Sequence, residues 1–167
     1  MAGVIDLNGM KTQIKSILDS ANTTTASPID LSSGMARRVQ KILKVHPDFV
    51  SAQASHFPFV TCYVQTKSMD QTTISNTQPN AQKKAEVELH VVGAIYNQNV
   101  TNVTEDPADE DINHLMENIE LTLRSNPTIN NKALWQITES CEYYSARLDV
   151  KNHIRYGILK LMATVFY

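Results

Sequence analysis

Apolar and polar residues alternate with period two along three stretches of this chain and recur at helical spacing along two others. Near the N-terminus, Leu7, Met10, Ile14, Ile17 and Leu18 fall on one side of a 3.6-residue repeat, which predicts a helix over about residues 7–20. Asp6 is placed to cap its orphan amides, and Gly9 weakens its first turn. Residues 21–33 (ANTTTASPIDLSS) read as a linker, with Pro28 blocking any continuation of the helix. Residues 35–45 fit either period: Met35, Val39, Ile42 and Leu43 suit a helix, whereas Val39, Leu43 and Val45 suit one strand face with Lys41 as the misfit. We read this stretch as a strand.

Residues 57–65 (FPFVTCYVQ) predict a clearer strand, with Pro58 at its beginning or on an edge because it lacks an N–H for the ladder. Residues 66–83 hold almost nothing that builds a core and predict a long loop that orders on a partner, with Met69, Thr73, Ile74, Asn76 and Pro79 as candidate contacts. In 84–96, Ala85, Val87, Leu89, Val91 and Ile95 make one apolar face. The opposite face is polar at Lys84, Glu86, Glu88 and His90, then apolar at Val92, Ala94 and Tyr96.

A helix follows over about 107–125. Asp106 sits at its cap, Pro107 at its first position, and Asp109, Glu110 and Asp111 at the positive end of its dipole. Ile112, Leu115, Met116, Ile119 and Leu123 form its buried stripe, and Asn126-Pro127 stops it. Residues 133–140 and 145–150 read as two short strands joined around 141–144. The closing stretch 155–167 alternates again, with Leu159, Leu161, Ala163 and Val165 on one face and Tyr156, Ile158, Met162 and Phe166 on the other.

These elements predict one α+β domain over residues 1–167, a mostly antiparallel sheet of four to six strands packed with two main helices. Two apolar sheet faces need two coverings, and few helices are on hand to supply them. Val92, Tyr96, Ile158, Met162 and Phe166 are therefore candidate subunit-interface residues.

Composition narrows the function. Hydrophobic residues make up 42% and charged residues 19%, which suits a folded domain with its own core. A net charge of −2 argues against gripping nucleic acid by its phosphates, and Arg37, Arg38, Lys41 and Lys44, the one dense basic group, read as a solvated face. Cys62 reads as a small buried hydrophobe, and Cys62 and Cys141 together suit a reducing compartment. The start of the chain lacks the signature of a signal peptide, and no apolar run approaches the roughly 18–20 residues of a membrane helix. The expectation is a soluble protein made in a cytoplasm.

Candidate chemistry is sparse. The acidic run Glu105, Asp106, Asp109, Glu110 and Asp111 lacks the alternating ligands and turn glycine of a calcium loop and sits where a helix N-terminus wants acids. The five histidines show no metal-binding spacing, and no nucleophile elbow or phosphate-cradling glycine loop occurs. No catalytic, metal or cofactor residues are expected; a compact domain with long loops and spare apolar strand surface points toward assembly.

Taken in order, the segments resemble the tail-terminator (tail-completion) proteins of long-tailed bacteriophages. The strand pattern is carried here by Phe57-Pro58-Phe59-Val60-Thr61-Cys62-Tyr63-Val64, followed by a polar loop and the alternating strand from Ala85 to Tyr96. The helix pattern is matched by Asp111, Leu115, Ile119 and Leu123, and the closing strand by 158–167. The similarity spans most of residues 36–167 as order and spacing. It implies a homo-hexameric ring at the head-proximal end of the tail tube, in the neck of the virion, made in the host cytoplasm. Such a ring ends tube polymerisation, contacts the tail tube protein, offers a docking surface to the head-completion or connector protein and lets DNA pass without specific binding. Another neck protein, head–tail joining or stopper, is the nearest alternative, and a small-ligand or regulatory α+β domain is the alternative from a different class.

Overall fold

The expected apolar stripe of the first helix becomes the buried side of α1 (Leu7–Ala21), with Met10, Ile14, Ile17, Leu18 and Ala21 turned inward. These assignments come from a computed structural model that describes residues 5–23, 29–50, 53–69, 84–98, 107–147 and 152–166. Asp6 caps α1 by accepting from the Gly9 amide at 2.7 Å, so the glycine that weakens the first turn also supplies the cap's donor. Five strands follow: β1 (Lys41–Leu43), β2 (Phe59–Met69), β3 (Lys84–Gln98), β4 (Trp135–Arg147) and β5 (Asn152–Phe166). The second helix, α2 (Pro107–Arg124), lies between β3 and β4 in sequence. The sheet order is β1-β2-β3-β5-β4, antiparallel at every step except β1 with β2. The fold is therefore α+β, a mostly antiparallel five-stranded sheet with two helices, as the patterning predicts.

Both helices lie on one face of the sheet. Cys62 on β2 faces α1, where its thiol approaches the Lys11 carbonyl at 3.6 Å. Gly93 and Gly157, directly paired across β3 and β5, face α2; a Cβ at either would stand 2.9 Å or less from Leu115 or Met116 side-chain atoms. The two missing side chains let α2 settle close to the sheet. One apolar core joins both helices to Val60, Ala85, Val87, Leu89, Val91, Ile95, Leu159, Leu161 and Ala163. Asn118 on α2 donates to the carbonyls of Leu31 and Ser33 at 3.2 and 2.9 Å, and Asp111 accepts from the Ala36 amide, pinning residues 31–36 along the helix.

Several elements differ from the sequence reading. Within 35–45 only Lys41–Leu43 pairs as a strand; Gly34 at φ +79° turns the chain, Val39 joins the core with Met35 packed against it, and the Val39 carbonyl accepts from Asn22 at the end of α1. The proposed linker 21–33 is partly structure, because Ala21 ends α1 and Leu31 is fully buried, while 24–28 lie outside the described residues. Residues 66–69, assigned to a loop, extend β2; Thr73, Ile74, Asn76 and Pro79 lie outside the described residues, as does Asp106. The two short strands expected over 133–150 are one continuous β4, since no turn chemistry interrupts residues 141–144. The acids at the start of α2 have structural partners: Asp109 pairs with Arg155 at 3.2 Å, and Glu110 faces His114 at 3.8 Å.

Candidate assembly surface

With both helices on one side, the opposite face of the sheet is left to the strands and loops. Its rows follow from register. Phe59, Ala94, Tyr156 and Tyr144 form one row, then Thr61, Val92, Ile158 and Glu142, then Tyr63, His90, Lys160 and Ser140, then Thr66, Glu88, Met162 and Ile137. Ser68, Glu86, Thr164 and Trp135 come next, with Lys84 and Phe166 beyond.

The chain covers the top of this face itself. Val50 packs against a small cluster of Phe57, Phe59 and Ala94 that also engages Tyr96, Ile154 and Tyr156. Phe57 lies 4.9 Å from Phe59 and 5.6 Å from Tyr96, and Tyr144 stacks on Tyr156 at 5.2 Å. Below them the Val45 backbone closes over Thr61, whose hydroxyl donates to the Val45 carbonyl, and the His46 ring sits 4.4 Å from that of Tyr63. Val92 is consequently buried and Tyr96 half-buried within the subunit. Of these two candidate interface residues, Tyr96 packs against the internal cluster and Val92 is buried in the next row.

The middle rows carry a polar network. The Tyr63 hydroxyl donates to His90 Nδ1 at 3.0 Å, and His90 Nε2 donates to Glu88 at 2.7 Å. Thr66 donates to the other Glu88 oxygen at 2.9 Å. Beside it Lys160 donates to Glu142, which also accepts from the Tyr144 hydroxyl at 2.5 Å. The hydrogen bonds from His90 and then Thr66 hold Glu88 below its usual carboxylate range, and Lys160 and then Tyr144 do the same for Glu142. Glu142 in turn raises Lys160 and Tyr144, and burial raises Tyr63. Each shift moves the group's titration further from neutral pH.

The lower rows are more exposed. Met162 is half-buried, while Phe166 is 42% exposed, Trp135 44% and Ile137 59%. Two of the five candidate interface residues, Met162 and Phe166, therefore share this strip, whereas Ile158 lies on the other side of the polar row, beside Val92. Ile137 and Trp135 belong to it as well, and sequence reasoning missed them. A bulge between Thr138 and Ser140 shifts the alternation of β4, so Trp135 and Ile137 share a face with Ser140, Glu142 and Tyr144. Simple period-two counting would have grouped Ile137 with Cys141 and Tyr143 instead.

The basic group disperses. Arg38 pairs with Asp30 at 3.1 Å, Lys44 donates to Thr12 at 3.0 Å, Lys41 is exposed on β1, and Arg37 lines a cleft of about 320 Å³ with Phe57, Tyr96 and Asp111. Among the described residues, no group of three or more His, Cys, Asp or Glu side chains is placed to hold a metal ion, and no helix is long and apolar enough to cross a membrane. Neither a protein-family model nor a curated protein matches the chain.

Proposed function

We propose that this chain is a structural virion protein of the tail-terminator kind: a homo-hexameric ring that caps the head-proximal end of a phage tail tube, stops its polymerisation and receives the head connector. It acts without catalysis or cofactor, lets DNA pass unheld, and resides in the tail neck after synthesis in the host cytoplasm. The observation that carries this reading is the apolar strip of Met162, Phe166, Ile137 and Trp135 on the face that neither helix covers. Contiguous exposed apolar surface of this kind marks a protein interaction site. The order of segments that resembles tail terminators supplies the kind of assembly, and a heterologous contact repeated by rotation closes into a ring.

The test is Met162→Glu, read by electron microscopy of the protein alone and mixed with tail tubes. Rings and tube ends capped by the natural chain, both lost in a variant with an unchanged unfolding midpoint, are the expected result. A variant that unfolds would show the strip to be intramolecular core and would remove the observation on which the reading stands.

A further inference from the structure

On the side of the sheet that the helices cover, the C-terminal ends of α1 and α2 border a groove of about 300 Å³. Ser16 and Ser20 line it from α1, Thr122 from α2, and Ser125, Asn126 and Asn130 from the chain that leaves α2. Two helix C-termini bring the negative ends of two macrodipoles to one place, where a cation is favoured. Among the described residues no Lys or Arg lines the groove to answer them. α1 has no basic residue in its last turn, and Arg124 at the end of α2 pairs with Glu120 at 3.0 Å. The donors around the groove are already engaged. Ser20 donates to the Ser16 carbonyl at 2.9 Å, Ser125 and Asn126 donate to the Thr122 carbonyl at 2.8 and 2.9 Å, and Asn130 Nδ2 donates to Gln13 at 3.0 Å. Lone pairs remain: Thr122 is 5% exposed, and its Oγ1 has no hydrogen-bond partner among the described residues. An unpartnered hydroxyl this buried is uncommon in a folded protein.

We infer that this groove is a binding site for an alkylammonium ion, whose –NH₃⁺ donates to the lone pairs of Ser20, Thr122, Asn126 and Asn130 while its methylenes rest on Ile17 and Ile29. An ammonium carries three donors and no acceptor, the complement of a groove whose own donors are engaged. Its charge suits the two converging helix ends, which would repel an anion. A bare metal ion fits less well, because the groove is larger than one ion requires and, among the described residues, no carboxylate lines it. The rim is held in place: Ile129, Asn130 and Asn131 lie in succession at φ 48°, 50° and 66°, and fully buried Ile129 anchors them. A β-branched residue in that region is a genuine outlier, of the kind that collects at ligand sites. The ammonium can come from a free amine or from a lysine side chain of another protein; the chemistry recognised is the same. The site lies across the sheet from the strip of Met162 and Phe166 and does not depend on the assembly reading.

The test is an amide-resolved NMR titration of the full chain with putrescine, set against sodium chloride of equal ionic strength and against neutral butanol. Putrescine should give saturable shifts in the millimolar range at the amides of Ser20, Thr122, Asn126 and Asn130, and the two controls should not. Thr122→Val keeps the side-chain shape and removes the lone pairs, so it should weaken binding about tenfold or more, as losing a hydrogen bond to a charged group does. Asn130→Asp, a residue that tolerates left-handed backbone, should tighten binding up to about fivefold by adding an exposed ion pair. A parallel titration with Nα-acetyl-lysine amide separates the sources: tighter putrescine marks a free amine, and tighter acetyl-lysine amide marks a protein's lysine. Shifts that either control reproduces, shifts that do not saturate, or a folded Thr122→Val protein that binds like the natural chain would each overturn the inference. Should Thr122→Val unfold, Asn130→Asp decides, and an affinity that stays the same or weakens there overturns it.

Discussion

Gly93 and Gly157 show how much one missing side chain sets. They are paired across the centre of the sheet beneath α2, and a Cβ on Gly157 would meet Met116 Cγ at 2.5 Å. Gly157→Ala should destabilise the protein by about 1–3 kcal/mol through overpacking. Combined with Met116→Ala, which alone costs about 2–5 kcal/mol, the loss should fall short of the sum, because the smaller side chain frees the space. Urea unfolding of the two single variants and the double variant measures that coupling. Burial pushes the Cys62 thiol up to about 12, and burial also raises the half-buried Cys141. Iodoacetamide near pH 8 should therefore alkylate Cys141 first in the folded protein and both cysteines at similar rates in urea, as followed by peptide mass spectrometry. Glu88 and Glu142 are held below their ordinary value of 4.5, Glu88 chiefly by His90 and Glu142 chiefly by Lys160. A depressed carboxyl contributes stability that is present above the unfolded value and lost as pH falls through the folded one. Stability should decline as pH drops below about 4.5, and Glu88→Gln should flatten that decline in acid-titrated unfolding.

At the scale of elements, the legible parts were those whose periodicity was long and whose ends were punctuated. The stripe from Ile112 to Leu123, with Pro107 before it and Asn126-Pro127 after it, placed α2 almost to the residue, and the alternation of 84–96 placed β3. Two kinds of element escaped. β1 is only Lys41–Leu43 because β2 begins at Phe59, opposite Lys41, and the chain beyond Leu43 leaves the ladder toward the turn Pro47–Phe49. β4 was split in two because Cys141 to Tyr144 interrupts an apolar pattern without supplying a turn, and the bulge near Glu139 then hid which of its residues share a face with Met162. The apolar strip was consequently half legible: Met162 and Phe166 follow from alternation, but Ile137 and Trp135 require the register. Asn118 escaped too, because an amide on a helix surface carries no signal that it bridges to the carbonyls of Leu31 and Ser33. Asn118→Ala should cost about 1–3 kcal/mol by leaving the Leu31 carbonyl without this partner, whereas Asn113→Ala on the exposed side of α2 should be near neutral; thermal unfolding separates them.

The whole molecule is asymmetric about its sheet. One face is closed by α1 and α2; among the described residues the other is closed over Val92, Ala94 and their neighbours, with a polar network and an apolar strip below. The asymmetry gives a subunit a side to present to others, which is what a ring at the end of a tail tube would use. Its charge accords with a bore that DNA traverses: the net charge is −2, and of the basic group Arg38 and Lys44 already have partners. Duplex DNA should bind at most weakly, without sequence preference and with steep salt dependence. Sub-micromolar affinity at physiological salt, lost in Arg37→Ala, would instead mark a nucleic-acid-binding module. The most direct test of the assembly reading is the native mass of the protein at millimolar concentration with tail tubes present, compared between the natural chain and Met162→Glu. The account predicts a six-copy species for the natural chain and a folded single subunit for the variant. A natural chain that remains a single subunit in the presence of tubes would contradict it.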